Sequence, residues 1–205
     1  MKKSIFIFSV LALGLSAAVS AQSNRVTLQV NYSVAAPVGD FKNVVDKTSF
    51  LGFGADIMYN FNPKFSLGFS TGSQDFYQKH PRQVYKSGDG SDISAVVSYS
   101  IQTVPLLAKG KYNFLPNAVV QPYLALGAGG NLIAYRQFAG EFSNSSKTKF
   151  GFAVSPEAGV RIPVGKSQKA AINLSAGYNY MPFKYDGIDR LDNVSVRAGV
   201  AFPLN

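Results

Sequence analysis

Apolar and polar residues alternate with a period of two along much of this chain. Near its end the apolar positions are Val194, Val196, Ala198, Val200 and Phe202. The positions between them carry Ser195, Arg197, Gly199 and Ala201. Because successive side chains of a β-strand point to opposite faces, this pattern predicts a strand with one apolar and one polar face.

Eight such segments predict an all-β fold, an eight-stranded antiparallel barrel with up-and-down order. They lie near 25–36, 49–61, 65–77, 93–114, 119–138, 148–163, 169–183 and 193–204. The connections alternate between short turns, at 62–64, 115–118 and 165–168, and longer polar segments, at 37–48, 78–92, 139–147 and 184–192. Outer-membrane barrels have short periplasmic turns and longer external loops. The pattern therefore predicts that both chain termini are periplasmic.

The sizes of the residues predict which face points inward. The polar face carries small residues, among them Gly52, Gly54, Ser66, Gly68, Ser70 and Gly72. The other face carries Leu67, Phe69, Leu106, Leu124, Leu126, Val160, Ile162 and Leu174. A soluble, lipocalin-like barrel would turn its large apolar residues inward. Small residues suit the crowded interior of an eight-stranded barrel, and large apolar ones suit lipid. This pattern favours a transmembrane barrel.

The N-terminal segment predicts export. Lys2 and Lys3 precede an apolar run at 5–19, and Val19-Ser20-Ala21 resembles a signal-peptidase site. An uncleaved membrane anchor would need about 20 apolar residues, more than this run has. We therefore expect a signal peptide at 1–21 and a barrel domain at 22–205. The chain has no cysteine and one histidine, so we expect no disulfide, no metal site and no cofactor.

The chain is basic, with 20 Lys and Arg against 11 Asp and Glu, a net charge of +9. A basic excess can indicate nucleic-acid binding, but these residues are scattered and the chain is predicted to be exported. We expect instead outer-membrane lipids and anionic lipopolysaccharide as partners, no nucleic acid, and a monomer.

Six charged residues fall on the predicted lumen face: Asp56, Lys109, Lys111, Glu157, Arg161 and Arg197. Charges in a narrow lumen must pair with one another or meet water. Glu157 and Arg161 share a face of one strand, whereas Lys109 and Arg197 could reach Glu157 only from other strands. The cluster predicts a plug of ion pairs, and the alternative is a gated ion path.

Two polar segments carry residue types that can take part in catalysis or metal binding. His80 lies in a basic loop with Asp75 nearby, but a catalytic histidine also needs a nucleophile and an orienting carboxylate within reach. Asp89 and Asp92 could touch a calcium ion, but they lack an EF-hand pattern and indicate a turn. We predict no catalytic residues.

Three runs resemble a known family. They are Thr103–Phe114 (TVPLLAKGKYNF), Gln121–Gly129 (QPYLALGAG) and Val154–Pro163 (VSPEAGVRIP). They are similar to segments of the small, porin-like outer-membrane β-barrel domains common in Bacteroidetes. The resemblance covers essentially the whole mature chain. It implies an eight-stranded barrel of the OmpA/OmpX shape, located in the bacterial outer membrane and inserted by the barrel-assembly machinery.

Fold and resemblance together predict a non-enzymatic outer-membrane protein with a structural role or a role in binding through its surface loops. One alternative is a small gated channel. A second is an outer-membrane lipid-modifying enzyme or protease.

Overall fold

The computed structural model describes residues 25–79, 81, 83–86, 92–139, 142–165, 170–185 and 188–204. The predicted signal peptide at 1–21, His80, Asp89 and the centre of the turn at 166–169 lie outside these residues. No helix in the described part of the chain is long and apolar enough to cross a membrane.

The described chain is almost entirely β-structure. Its strands are β1 (Val26–Pro37), β2 (Ser49–Asn60), β3 (Phe65–Lys79), β4 (Gln83–Lys86), β5 (Asp92–Ala95), β6 (Val97–Asn113), β7 (Gln121–Ala139), β8 (Phe142–Val164), β9 (Ala170–Asn179), β10 (Pro182–Tyr185), β11 (Ile188–Arg190) and β12 (Asn193–Leu204). A short 3₁₀ helix, Gly39–Asn43, follows β1.

Eight of these strands form a closed antiparallel barrel. Their order around it is β1, β12, β9, β8, β7, β6, β3 and β2. Val30 lies opposite Val200, in the pairing of β1 with β12 that closes the sheet. Each barrel strand thus pairs with the barrel strands before and after it in the chain. The predicted all-β, eight-stranded, up-and-down barrel is confirmed.

Several predicted strand bounds were wrong at one end of the barrel. The connection expected at 139–147 is mostly strand, because β7 and β8 pair as far as Ala139 and Phe142. The strand expected at 169–183 stops at Asn179, and β10 pairs instead with β11. Likewise β5 belongs to a hairpin with β4, separate from β6. At this end of the barrel, polar segments without an alternating pattern form strands because their backbones pair with a neighbouring strand. The period of the sequence alone therefore does not locate the ends of the strands.

The two faces of the barrel lie as the residue sizes predict. Phe69, Leu126 and Leu174 point outward and are 74, 55 and 45 % exposed. Ser66 and Asn173 point inward and are buried. Exposed large apolar residues around a buried polar interior are the reverse of the arrangement in a water-soluble protein. The outside of this barrel is built for lipid.

The two ends of the barrel differ, and we call them the base and the mouth. The base holds the tight connections at 61–64 and 114–120, with aromatic pairs beside them: Tyr59 with Phe61 and Tyr112 with Phe114, at centroid distances of 4.9 and 5.2 Å. The mouth holds the 3₁₀ helix and the hairpins β4–β5 and β10–β11. Outer-membrane barrels carry girdles of aromatic residues at the membrane interface, and these pairs have the position of such a girdle at the base.

The wall of the barrel is taller on one side of the mouth. The β8–β9 pairing reaches Glu157 opposite Gly177, and an isolated bridge joins Val154 to Tyr180. Beyond that point β8 continues to Phe142, paired only with β7 among the barrel strands. Strands β6, β7 and β8 therefore project past the rim formed by β9, β12, β1 and β2.

Candidate functional site in the barrel lumen

All six predicted charged residues lie on the lumen side of their strands. Four of them form one connected group, which we call the charge network: Asp56, Lys109, Glu157 and Arg197. The other two, Lys111 and Arg161, lie nearer the base and are not part of it.

The charge network crosses the lumen as a chain of alternating sign. The Lys109 ammonium lies 3.0 Å from Asp56 Oδ2 and 2.9 Å from Glu157 Oε2. The Arg197 guanidinium lies 2.9 Å from the same Glu157 oxygen. Asp56, Lys109 and Glu157 are only 3 to 5 % exposed. Two acids balance two bases, so the network is neutral and its charges are paired within the barrel.

Neutral side chains complete the hydrogen bonding of the carboxylates. The Tyr123 hydroxyl donates to Glu157 Oε1 at 2.8 Å. The Asn31 amide donates to Asp56 Oδ2 at 3.5 Å, and Gln29 donates to Asn31 at 2.8 Å. These partners were not identified from the sequence. Their inward position was predictable by alternation, but neutral residues carry no charge pattern that marks them.

Glu157 and Arg161 share a strand face but do not form an ion pair. Residues four apart on a strand are separated by roughly 13 Å, so Glu157 binds partners that approach from other strands. Arg161 donates instead to Gln121 Oε1 at 2.9 Å. The Lys111 ammonium lies 5.5 Å from the centre of the Tyr123 ring.

A layer of amide and hydroxyl side chains lies on the mouth side of the network. Asn179 is its centre: its Oδ1 accepts from Ser155 at 2.8 Å and from Arg197 at 3.1 Å, and its Nδ2 donates to Asn193 at 2.7 Å. A cavity of about 50 Å³ lies among Asn179, Asn193, Asp56 and Arg197. Such a volume holds only a few water molecules.

The mouth is filled by buried apolar side chains, which we call the mouth cluster. Its larger members are Phe41, Val45, Phe76, Ile101, Ile133, Tyr135, Met181, Phe183 and Leu191. Phe41, from the 3₁₀ helix, packs edge-on against Phe76 of the barrel wall at a centroid distance of 4.9 Å. Gly39, with φ of +60°, turns the chain into this helix. The segment at 37–48 was predicted as a polar loop, yet it supplies part of a core.

Asp192 fastens the mouth cluster to the barrel. Its carboxylate accepts from the Tyr178 hydroxyl at 2.8 Å and from the Met181 amide at 3.0 Å. Its carbonyl accepts from the Val38 amide at 2.9 Å. Asp192 is only 4 % exposed. One residue thus links the rim of β9, the start of the 3₁₀ segment and the chain that follows β11.

Most polar groups at the level of the charge network are bonded to one another. The four charges of the network are paired with one another, and Ser155, Asn179 and Asn193 bond within the layer, whereas Lys111 and Arg161 form no ion pair among the described residues. Among the residues that the structure describes, no group of three or more His, Asp or Glu side chains is placed to hold a metal ion.

Comparison with known structures identifies the fold. Neisserial surface protein A is 14 % identical, with a TM-score of 0.57, and 90 % of this chain matches 100 % of that one. Ail, the attachment invasion locus protein of Yersinia pestis, is 16 % identical, with a TM-score of 0.52 over 89 % of this chain and 100 % of that one. The N-terminal β-barrel domain of Pseudomonas aeruginosa OprF is 14 % identical, with a TM-score of 0.50 over the same shares.

No curated protein sequence matches this chain significantly. A family model does match, over residues 7–202, and its description is outer membrane protein beta-barrel domain. The chain therefore belongs to the outer membrane protein β-barrel domain family, a family of the bacterial outer membrane.

Proposed function

We propose that this protein is a non-conducting, non-enzymatic barrel that stabilises the outer membrane and presents its mouth for binding. The observation that carries the proposal is the obstruction of the lumen at two levels. The charge network crosses it at one level, and the mouth cluster closes it at another. An ion would have to break both to pass through the barrel.

The charge network favours a plug over a pore. Its ions lie within 3.0 Å of their partners, and three of the four are nearly inaccessible to solvent. Separating such a buried pair leaves uncompensated charge in a poorly hydrated space. A wet channel would instead leave its charged side chains facing water.

The mouth cluster adds a second closure with different chemistry. Phe41, Phe76, Ile133, Tyr135 and Leu191 have no exposed surface. They come from both the barrel wall and the segments folded over it, so those segments are packed as part of a core. Opening the mouth would expose this apolar surface to water.

The tall side of the wall supports a binding role. On β3, β6 and β7 the outward positions change from apolar to polar toward the mouth, where Asp75, Ser100, Gln102 and Arg136 border a surface pocket. Polar outward side chains fit a wall that has left the lipid. The hairpins β4–β5 and β10–β11, together with this wall, then form the surface that a ligand can reach.

The proposed orientation has the mouth outside the cell and both termini in the periplasm. Tight turns at the base and longer elements at the mouth support it. We propose membrane lipids as the surrounding partner and lipopolysaccharide as the partner of exposed basic residues such as Arg136. We also propose a monomer that is inserted by the barrel-assembly machinery and does not bind nucleic acid.

Planar-bilayer recording tests the proposal. We expect the purified, folded protein to give no unitary conductance steps under conditions in which a general porin does. Steps whose ion selectivity changes in Glu157→Gln would establish a channel instead. Incubation with lipopolysaccharide, phospholipid and peptide substrates should leave them unchanged, and any time-dependent product would establish the enzyme alternative.

A further inference from the structure

A second pocket lies in the lumen at the base, below the charge network. It has a volume of about 410 Å³, and its lining includes Arg25, Lys111, Arg161, Asn113 and Gln121. We propose that this base pocket binds a small oxyanion that also carries a hydroxyl group, such as hydrogen phosphate or a sugar phosphate. The inference is independent of whether the barrel conducts or binds ligands at its mouth.

The base pocket has cations and no acidic residue among its lining side chains. Lys111 is only 7 % exposed, and Arg161 is half-buried. Within the described residues, neither of them forms an ion pair, because both nearby lumen acids are bound by Lys109 and Arg197. Buried charge is costly unless it is paired. A bound anion would supply the missing partner.

The geometry of the cations favours an oxyanion over a halide. Arg161 donates through Nη1 to Gln121, which leaves its other N–H groups for a ligand. A guanidinium presents its donors as a planar fork that matches two oxygens of a carboxylate or phosphate. Lys111 adds a compact ammonium to the same pocket.

Asn113 indicates the hydroxyl group. It is 8 % exposed, and its Oδ1 is buried without a hydrogen-bond partner, although its Nδ2 donates to the Pro63 carbonyl at 3.3 Å. A buried acceptor needs a donor. Hydrogen phosphate, or a sugar carrying a phosphate, provides both anionic oxygens and an O–H. A pocket of this volume has room for a ligand of that size.

Calorimetric titration of the folded barrel, in nanodiscs of zwitterionic lipid, tests the proposal with inorganic phosphate and glucose 6-phosphate. We expect saturable binding of at least one of them at constant ionic strength. Lys111→Gln and Arg161→Lys should each weaken it by about tenfold or more, since each removes a charge-assisted contact. The control is Lys64→Gln, an exposed cation at the same end of the barrel that does not line the pocket.

The source of the phosphate is tested by repeating the titration in nanodiscs that contain phosphatidylglycerol. If that lipid abolishes binding of the probes to the unsubstituted barrel, the ligand is a lipid headgroup. If binding is unchanged, it is a soluble phosphate compound. No binding of either probe, or an equal loss in Lys64→Gln, would overturn the proposal. Arg161→Lys keeps the positive charge and is expected to fold. It therefore tests the pocket even if Lys111→Gln fails to fold.

Discussion

The Lys109 ammonium lies 2.9 Å from Glu157 Oε2, although their strands, β6 and β8, are separated by β7. Backbone hydrogen bonds join only adjacent strands, whereas this ion pair joins alternate ones. Arg197 reaches the same carboxylate from β12, across β9. Glu157 is therefore the point at which both halves of the charge network meet.

Glu157→Gln is expected to destabilise the barrel. It leaves Lys109 and Arg197 without their shared carboxylate, and breaking a buried charge group costs about 3–5 kcal/mol. Urea unfolding in detergent micelles, followed by far-ultraviolet circular dichroism because the chain has no tryptophan, measures the change. The control is Asp46→Asn, which neutralises an exposed acid near the mouth. Equal losses in the two variants would contradict the buried network.

Lys109→Gln is expected to cost more than Arg197→Gln. The first change leaves Asp56 without an ion pair and removes one of two cations from Glu157. The second leaves Glu157 bound to Lys109 and Tyr123. We expect about 3–5 kcal/mol for the first and about 1–3 kcal/mol for the second, from the same unfolding measurement. The reverse order would mean that Asp56 does not depend on Lys109.

Leu174→Arg is expected to impair folding into bilayers. Leu174 points outward midway along β9, and an arginine at the bilayer midplane costs about 2–4 kcal/mol. Leu115→Arg makes the same change in the turn at the base, where the cost falls to about 0–1 kcal/mol. Folded fractions can be compared on unboiled gels. If both variants fold equally well, Leu174 does not face lipid.

Gly68→Ala is expected to destabilise the barrel by about 1–3 kcal/mol, the usual range for overpacking. A Cβ at this position would lie 1.9 Å from the backbone oxygen of Ile57, which cannot move as a side chain can. Gly110→Ala is the matched control, since its nearest contact is the Leu67 side chain at 3.9 Å. Equal unfolding midpoints would show that β2 and β3 can separate at no cost.

The orientation can be tested with single cysteines, because the chain has none of its own. Asp46→Cys lies near the mouth, and Asn117→Cys lies in a turn at the base; both positions are exposed. A membrane-impermeant maleimide added to intact cells is expected to label only Asp46→Cys. Permeabilised cells should label both. Labelling of Asn117→Cys alone in intact cells would invert the proposed orientation.

The barrel itself was predictable from the sequence because its two environments, lipid outside and a narrow lumen inside, require different side chains. A strand between lipid and a narrow lumen must alternate large apolar with small or polar side chains, as in Leu174 and Ser175. The same alternation placed the six charged residues on the inner face. The alternation did not specify which charged residues form ion pairs. The register between strands determines that Lys109, rather than Arg161, pairs with Glu157.

The mouth could not be predicted by the same rule. Phe41, Val45 and Leu191 lie in segments without a period of two, so they have the appearance of loop residues. Their burial depends on contacts with Phe76 and Ile133 from distant strands. The sequence did offer one indication of a buried segment, the apolar residues within 37–48. It was not used because the alternation of short and long connections indicated a loop there.

The members of the charge network are distributed regularly over the hairpins of the barrel. The connections at the mouth join the barrel strands into four successive hairpins, β1 with β2, β3 with β6, β7 with β8, and β9 with β12. Each hairpin contributes one member, in the order Asp56, Lys109, Glu157 and Arg197, so the sign alternates from one to the next. Gain or loss of one such hairpin would leave the charge network with an unpaired charge, whereas gain or loss of two in succession would keep the network neutral. Pairing within the charge network therefore disfavours a barrel of six or ten strands built from the same units.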